Sequence, residues 1–183
     1  MFYSFKRTLL AFITVVTLLV GGRFYFTHAQ FSSRHAPDTK LAKTLEDNHV
    51  VRVVDGDTII VALNHKPVTV RLLGINTPET VKPNSPVECY GPEASARTKE
   101  LLTDKVIRLE ADDSQDNEDK YHRLLRYVFL DEVNVNESLV RDGYAREYTY
   151  RHAYKYQKEF RADQKDAKKN KRGLWGACVH GGK

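Results

Sequence analysis

Apolar residues cluster in two separate places along this chain. The first cluster, LLAFITVVTLLVGG at residues 9–22, is continuous and has no period. The second begins at residue 50. VVRVVDGDTIIVAL, residues 50–63, is rich in β-branched positions and predicts a strand interrupted at Gly56. NHKP, residues 64–67, predicts a turn, and VTVRLLGI, residues 68–75, a second strand antiparallel to the first. Residues 77–91 carry three prolines and predict a loop.

PEASARTKELLTDK, residues 92–105, has proline in its first turn, where a helix has no use for that N–H, and predicts a helix. VIRLEADD (106–113) and RLLRYVFLD (123–131) predict a third and a fourth strand around the polar loop SQDNEDKYH (114–122). A short helix over 137–142 is expected to end at Gly143. A longer basic helix over 154–171 is expected to end at Gly173. Short strands joined by tight turns, with one inserted helix, predict a mainly β, α+β fold: a small, partly open Greek-key barrel.

Composition sharpens this picture at the amino terminus. The chain has 183 residues, enough for one domain with a real core plus an extension. Lys6 and Arg7 precede the apolar run, the pattern of an export signal. The run is short for a membrane span, which needs ~20 residues, although Phe24, Tyr25 and Phe26 extend it past Arg23. Two outcomes stay open: a signal cleaved after Ala29, or a membrane anchor through residues 9–22. Both put the rest of the chain outside the cytoplasm. The expected organisation is 1–29 signal or anchor, 30–45 linker, 46–178 folded domain and 179–183 tail. Net charge is +5, which favours polyanionic partners such as nucleic acid or anionic lipid. Two cysteines, Cys89 and Cys178, permit one disulfide in an exported protein. With no histidine cluster nearby they cannot build a zinc site.

Three short segments carry candidate chemistry. DGDT, residues 55–58, puts Asp55 and Asp57 on one face of an extended chain, where they repel unless a cation neutralises them. The bland alternative is a β-bulge with solvated acids. RLLGINTPET, residues 71–80, offers the Asn76 amide oxygen, the carbonyls around Thr77 and the Glu79 carboxylate, with Pro78 stiffening the turn. Arg71 suits bidentate contact with phosphate. DKYHR, residues 119–123, gathers Lys120, Tyr121 and Arg123. Taken singly, a polar turn and a polar strand start account for the last two segments equally well. The acidic loop 110–119 lacks the glycine and spacing of a calcium-binding hand.

As a set, VVDGDTIIV, VRLLGINTPET, ECYGPEASARTKELL, DKYHRLLRYVF, VNESLVRDGYAREY and the closing GLW resemble the staphylococcal nuclease family, in order and spacing, over roughly residues 48–175. The resemblance implies an OB-fold, a five-stranded barrel with about three helices, and calcium-dependent cleavage of DNA and RNA that leaves 3′-phosphates. It implies Asp57, Asn76 and the Thr77 carbonyl as calcium ligands, with Asp55 nearby through water. It implies Glu79 at the attacking water, Arg71 and Arg123 on the scissile phosphate, and Lys120 and Tyr121 on a neighbouring phosphate. Tyr148 and Tyr150 match the base-stacking tyrosines with spacing that differs by one residue, and Tyr154 is a third stacking candidate.

One match departs. Where the family has a second aspartate ligand this chain has Asn76, which removes one negative charge and is expected to weaken calcium binding. His122 stands where the family has glycine. The expected protein is an exported, monomeric nuclease with little sequence preference, acting best on single-stranded or unpaired nucleic acid. The rival is a catalytically weak nucleic-acid-binding OB module tethered to the membrane; the presence of Arg71, Glu79 and Arg123 favours the enzyme.

Overall fold

A computed structural model describes residues 48–80 and 86–178. The expected signal or anchor at 1–29, the linker and the tail lie outside the described residues. Among the described residues no helix is long and apolar enough to cross a membrane.

Strand β1 (His49–Asp55) and strand β2 (Thr58–Leu63) pair antiparallel, with Asp55 opposite Thr58. Gly56 and Asp57 are therefore the tip of a two-residue hairpin. This corrects the expectation of one strand interrupted at Gly56: β-branched runs on both sides hide a reversal that only the glycine betrays. A second two-residue turn, Asn64–His65, joins β2 to β3 (Lys66–Leu72); both its residues have positive φ, 49° and 60°. Such turns match the right-handed twist of the strands they join.

The expected second strand also stops early. It ends at Leu72, the chain turns at Gly74, and Ile75–Asn76 forms a separate short strand, β4. Gly74 has φ 75°, and a Cβ there would lie 2.6 Å from the Tyr154 ring. Only glycine accommodates that backbone and that ring together.

Helix α1 (Gly91–Leu102) follows, with Pro92 in its first turn, then β5 (Arg108–Glu110) and β6 (Leu124–Leu130). Two-residue β7 (Val133–Asn134) leads into helix α2 (Val135–Arg141), and β8 (Arg146–Glu147) pairs with β4. Helix α3 (Gln157–Lys169) and the single turn α4 (Leu174–Ala177) complete the order. Gly173 thus heads α4, whereas α3 already ends at Lys169, capped by Asn170. The expected helix start at Tyr154 shifts to Gln157, because the Tyr154 ring is drawn into the core.

The main sheet runs β1-β2-β3-β6-β5. β3 and β6 pair in parallel, with Arg71 beside Leu125. One isolated bridge, His49 to Val106, returns the sheet to β1, backed by hydrogen bonds from the Val50 N–H to the Lys105 carbonyl (2.8 Å) and from the Ile107 N–H to the Asn48 carbonyl (3.0 Å). A barrel of the OB type results, mainly β with α, without a continuous closing ladder.

The core inside it joins Val50, Ile59, Val61, Val70, Leu72 and Val128 to Leu139 and Val140 of α2 and Phe160 of α3. Asn136 is fully buried among them. Its Oδ1 accepts from the Val128 N–H at 3.0 Å, and its Nδ2 donates to the Leu73 and Arg126 carbonyls at 2.9 and 3.2 Å. It thereby satisfies three backbone groups where the end of β3 parts from β6.

Cys89, just before α1, is joined to Cys178, just after α4, with Cα atoms 5.9 Å apart and a sequence separation of 89. A link closing so long a segment restricts the unfolded chain strongly. The double variant Cys89→Ser/Cys178→Ser is expected to lose about 2–4 kcal/mol of stability, read as a lower urea midpoint.

Candidate active site

Asp57 sits at the β1–β2 hairpin tip, and its carboxylate ties three chain segments. Oδ1 accepts from the Thr58 hydroxyl at 3.0 Å, and Oδ2 accepts from the Thr77 N–H at 2.9 Å. Arg71 Nη2 lies 3.0 Å from the same Oδ2 and donates to Asn76 Oδ1 at 3.2 Å, while Nη1 donates to the Leu72 carbonyl at 2.7 Å. The guanidinium therefore bridges two oxygens expected to be cation ligands. Both members of the Arg71–Asp57 pair are largely buried, so each compensates the other's lost hydration.

Asp55 closes β1 beside it. Its Oδ1 accepts from the Gly56 N–H at 2.8 Å and from the Thr80 hydroxyl at 2.6 Å. Burial raises its pKa above the ordinary 3.8; these two hydrogen bonds oppose the shift, and the charges of Asp57 and Glu79 add to it. Asp55 and Asp57 thus meet across a hairpin tip and not along one extended strand face.

Glu79 follows β4 by three residues. Its Oε1 accepts from the Thr80 N–H at 2.9 Å, which turns the carboxylate along its own backbone. The Thr77 hydroxyl is buried with no hydrogen-bond partner among the described residues, 2.8 Å from where a Gly56 Cβ would stand.

Among the described residues no three acidic, histidine or cysteine side chains form a cage for a metal. The oxygens lining the cleft here are the carboxylates of Asp55, Asp57 and Glu79, the Asn76 amide and the Thr77 carbonyl and hydroxyl. An all-oxygen set of this kind suits a hard cation.

The 119–123 segment is built on Asp119, a residue to which the sequence reading gave no role. Its Oδ1 accepts from the Tyr121 and Arg123 N–H groups at 2.9 and 3.1 Å, and its Oδ2 accepts from Arg123 Nε at 2.7 Å. Burial alone would raise its pKa, but the Arg123 side chain and these N–H groups outweigh it and hold the carboxyl below the ordinary value. The signal was present as an aspartate two and four residues before N–H groups it can cap. Tyr121 is exposed and carries Lys120 Nζ 5.0 Å and Arg123 Cζ 5.3 Å from its ring centroid. His122 lies outside this group, 3.6 Å from Glu118.

One cleft of about 1170 Å³ is lined by Asp55, Asp57, Arg71, Asn76, Thr77 and Glu79 together with Lys120, Tyr121, Arg123, Tyr148 and Tyr150. Tyr148 and Tyr150 are exposed, with ring centroids 6.4 Å apart. Tyr154 is not available for stacking: it is buried, and its hydroxyl donates to the Gly74 carbonyl at 3.1 Å. Cys89 and Cys178 do not line this cleft and are joined to each other.

Residues 69–177 match the family model of staphylococcal nuclease homologues. The chain belongs to the staphylococcal nuclease family. It is 42% identical over 166 residues to the thermonuclease of Staphylococcus hyicus, covering 89% of this chain and 97% of that protein. It is 46% identical over 140 residues to the endonuclease YncB of Bacillus subtilis (strain 168), covering 76% of this chain and 66% of the relative. The SPbeta prophage-derived endonuclease YokF of the same organism is 47% identical over 134 residues, 73% of this chain but only 45% of that protein. Membership of the staphylococcal nuclease family places the chain in the phosphodiesterase class, as an endonuclease.

For a nuclease of this family the raised pKa of Asp55 has a measurable consequence. A carboxyl whose pKa rises on folding favours the folded state when protonated, so its contribution is greatest below pH 3.8 and is lost as pH rises through the folded value. Asp55→Asn keeps an oxygen for Gly56 and Thr80 and removes the buried charge. In chelator at pH 7 its urea midpoint is expected to exceed that of the parent protein, with the gain shrinking as pH falls toward 3.8.

Proposed function

We propose that the chain is an exported, calcium-dependent nuclease that hydrolyses phosphodiester bonds in DNA and RNA with little sequence preference. The observation that carries this reading is that Asp55, Asp57, Asn76, Thr77 and Glu79 line one cleft together with Lys120, Tyr121 and Arg123. Cation ligands and phosphate-binding groups line the same groove.

Asp57, Asn76 and the Thr77 carbonyl would hold the calcium ion, with Asp55 close by. Bound there, it would supply Lewis-acid polarisation of a phosphoryl oxygen and of water. Arg71 and Arg123 present fixed positive charge to a phosphate that gains negative charge as the nucleophile adds. Asp119 pre-sets Arg123 for this, so little reorganisation is needed when substrate arrives. Glu79 orients the attacking water and accepts its proton. Lys120 and the Tyr121 hydroxyl hold a neighbouring phosphate, and departure on the 5′ side leaves a 3′-phosphate, as the family resemblance implies. Exposed Tyr148 and Tyr150 stack on base faces, which every nucleotide has, so sequence discrimination is slight and unpaired strands are preferred.

Export rests on the basic and apolar start of the chain and on the Cys89–Cys178 link, since disulfides persist outside the cytoplasm. The proposed organisation keeps residues 46–178 as the nuclease domain, acting as a monomer, behind a signal or anchor in 1–29, a linker over 30–45 and ahead of a short tail.

Two experiments test this reading. Calcium is expected to support cleavage of denatured DNA and of RNA, and chelator to abolish it. Glu79→Gln is expected to lose ~100- to 10,000-fold in kcat, the range for general-base help, while still binding DNA. No cleavage with calcium at any pH from 6 to 10 (roughly the range over which Lys and Arg stay charged) would refute the proposal. Asn76→Asp restores a charge to the ligand set and is expected to tighten calcium binding about tenfold by calorimetric titration, because charge count tunes such sites. Unchanged affinity removes Asn76 from the site.

A further inference from the structure

Glu79 is gripped through its backbone as well as aimed through its side chain. Its N–H donates to Glu88 Oε2 at 3.2 Å, and its carbonyl accepts from the Glu88 N–H at 2.9 Å. The two residues thus hold each other reciprocally across nine positions of sequence. The Glu88 carbonyl in turn accepts from the Gly91 N–H at 3.0 Å, at the start of α1. Gly91 packs its bare backbone on the same segment: a Cβ there would lie 2.7 Å from Thr80 Cγ2, 3.0 Å from the Glu79 carbonyl oxygen and 3.2 Å from that of Pro78.

The residue next to Glu88 is Cys89, linked to Cys178. Glu88 and Cys89 are both exposed, and Glu88 lines the catalytic cleft. An exposed hydrogen bond on a peptide N–H adds little to folding, so stability does not account for this clamp. Its geometric effect is larger: it fixes where the Glu79 backbone stands, and with it the reach of the carboxylate. Misplacement of a catalytic group by about 1 Å can cost ~100-fold in rate.

We propose that Glu88 is a positioning residue for Glu79, and that the Cys89–Cys178 disulfide is the anchor that keeps Glu88 in place. The inference rests on Glu79 acting at the attacking water. Glu88 itself touches no reacting atom. The disulfide adds a covalent brace from the far end of the fold, so the turn after α4 helps to set the chemistry in the cleft.

The test uses the full chain in mild detergent, with saturating calcium and denatured DNA, at a temperature where circular dichroism shows every variant folded. Glu88→Ala is expected to lower kcat by ~10- to 100-fold, with KM unchanged. Glu88→Gln retains an oxygen that accepts from the Glu79 N–H and is expected to restore most of that loss, which a merely structural contribution of the carboxylate charge would not. Cys89→Ser/Cys178→Ser, and the parent protein reduced by a dithiol, are expected to show the same fall in kcat without a change in KM. In a Glu79→Gln background, adding Glu88→Ala is expected to cost nothing further, the signature of two residues acting through one group. A parental kcat in Glu88→Ala, or an equal loss with and without Glu79, overturns the proposal. If Glu79→Gln itself retains full rate, the catalytic reading of Glu79 fails instead. Should Glu88→Ala not fold, Glu88→Ser and the reduced parent protein decide the question by the same criteria.

Discussion

The carboxylate of Asp57 is the constraint on which the site depends. It is buried at a hairpin tip, where an unpaired charge would be costly. Arg71, the Thr77 N–H and the Thr58 hydroxyl compensate it. Those three contacts fix the end of β3, the chain after β4 and the start of β2 relative to one another. Glu79 lies two residues beyond Thr77, so its place follows from theirs. Thr58, Arg71 and Thr77, which neutralise Asp57, all line the same cleft with it.

The barrel supports this arrangement through a single topological choice. Parallel pairing of β3 with β6 sets Arg71 beside Leu125, so the start of β6, where Arg123 stands, comes to the same cleft. Antiparallel neighbours could have been joined by a short turn, whereas a parallel pair needs a long crossover. Here the crossover contains α1 and β5, and it carries the 119–123 segment back to the cleft. Asn136 then satisfies the backbone where β3 and β6 part company. Helix α3 adds little to that core, burying Phe160 and Ala167 and leaving its lysines in solvent, which accords with a solvated surface helix.

Much of the fold was legible because β-branched runs and turn residues announce strands of six or seven residues. The misses have physical reasons. DGDT reads as a bulge or as a reversal with equal ease, since glycine and aspartate serve both. The early end of β3 is set by a tyrosine ring eighty residues away, a tertiary contact with no local trace. β4, β7 and β8 are two residues long, too short for any period to show. Within the site, the family resemblance supplied the candidate residues, and the structure brings them to one cleft. Asp119 showed only a local capping pattern, and Asn136 and Glu88 had no individual signature, because their work is done largely on backbone groups that sequence does not display. Tyr154 shows the opposite failure: an aromatic among aromatics looks like a stacking residue until burial decides otherwise.

When a protease cuts this chain, the Cys89–Cys178 link changes what the cut does. The polar loop between β5 and β6 lies inside the linked stretch and is largely exposed. Cleavage there releases no fragment: the severed ends remain parts of one covalent molecule. Re-pairing of β5 and β6 is then an intramolecular event at high effective concentration. The bond thus gives the fold tolerance of damage within half of its length, a form of durability distinct from resistance to unfolding.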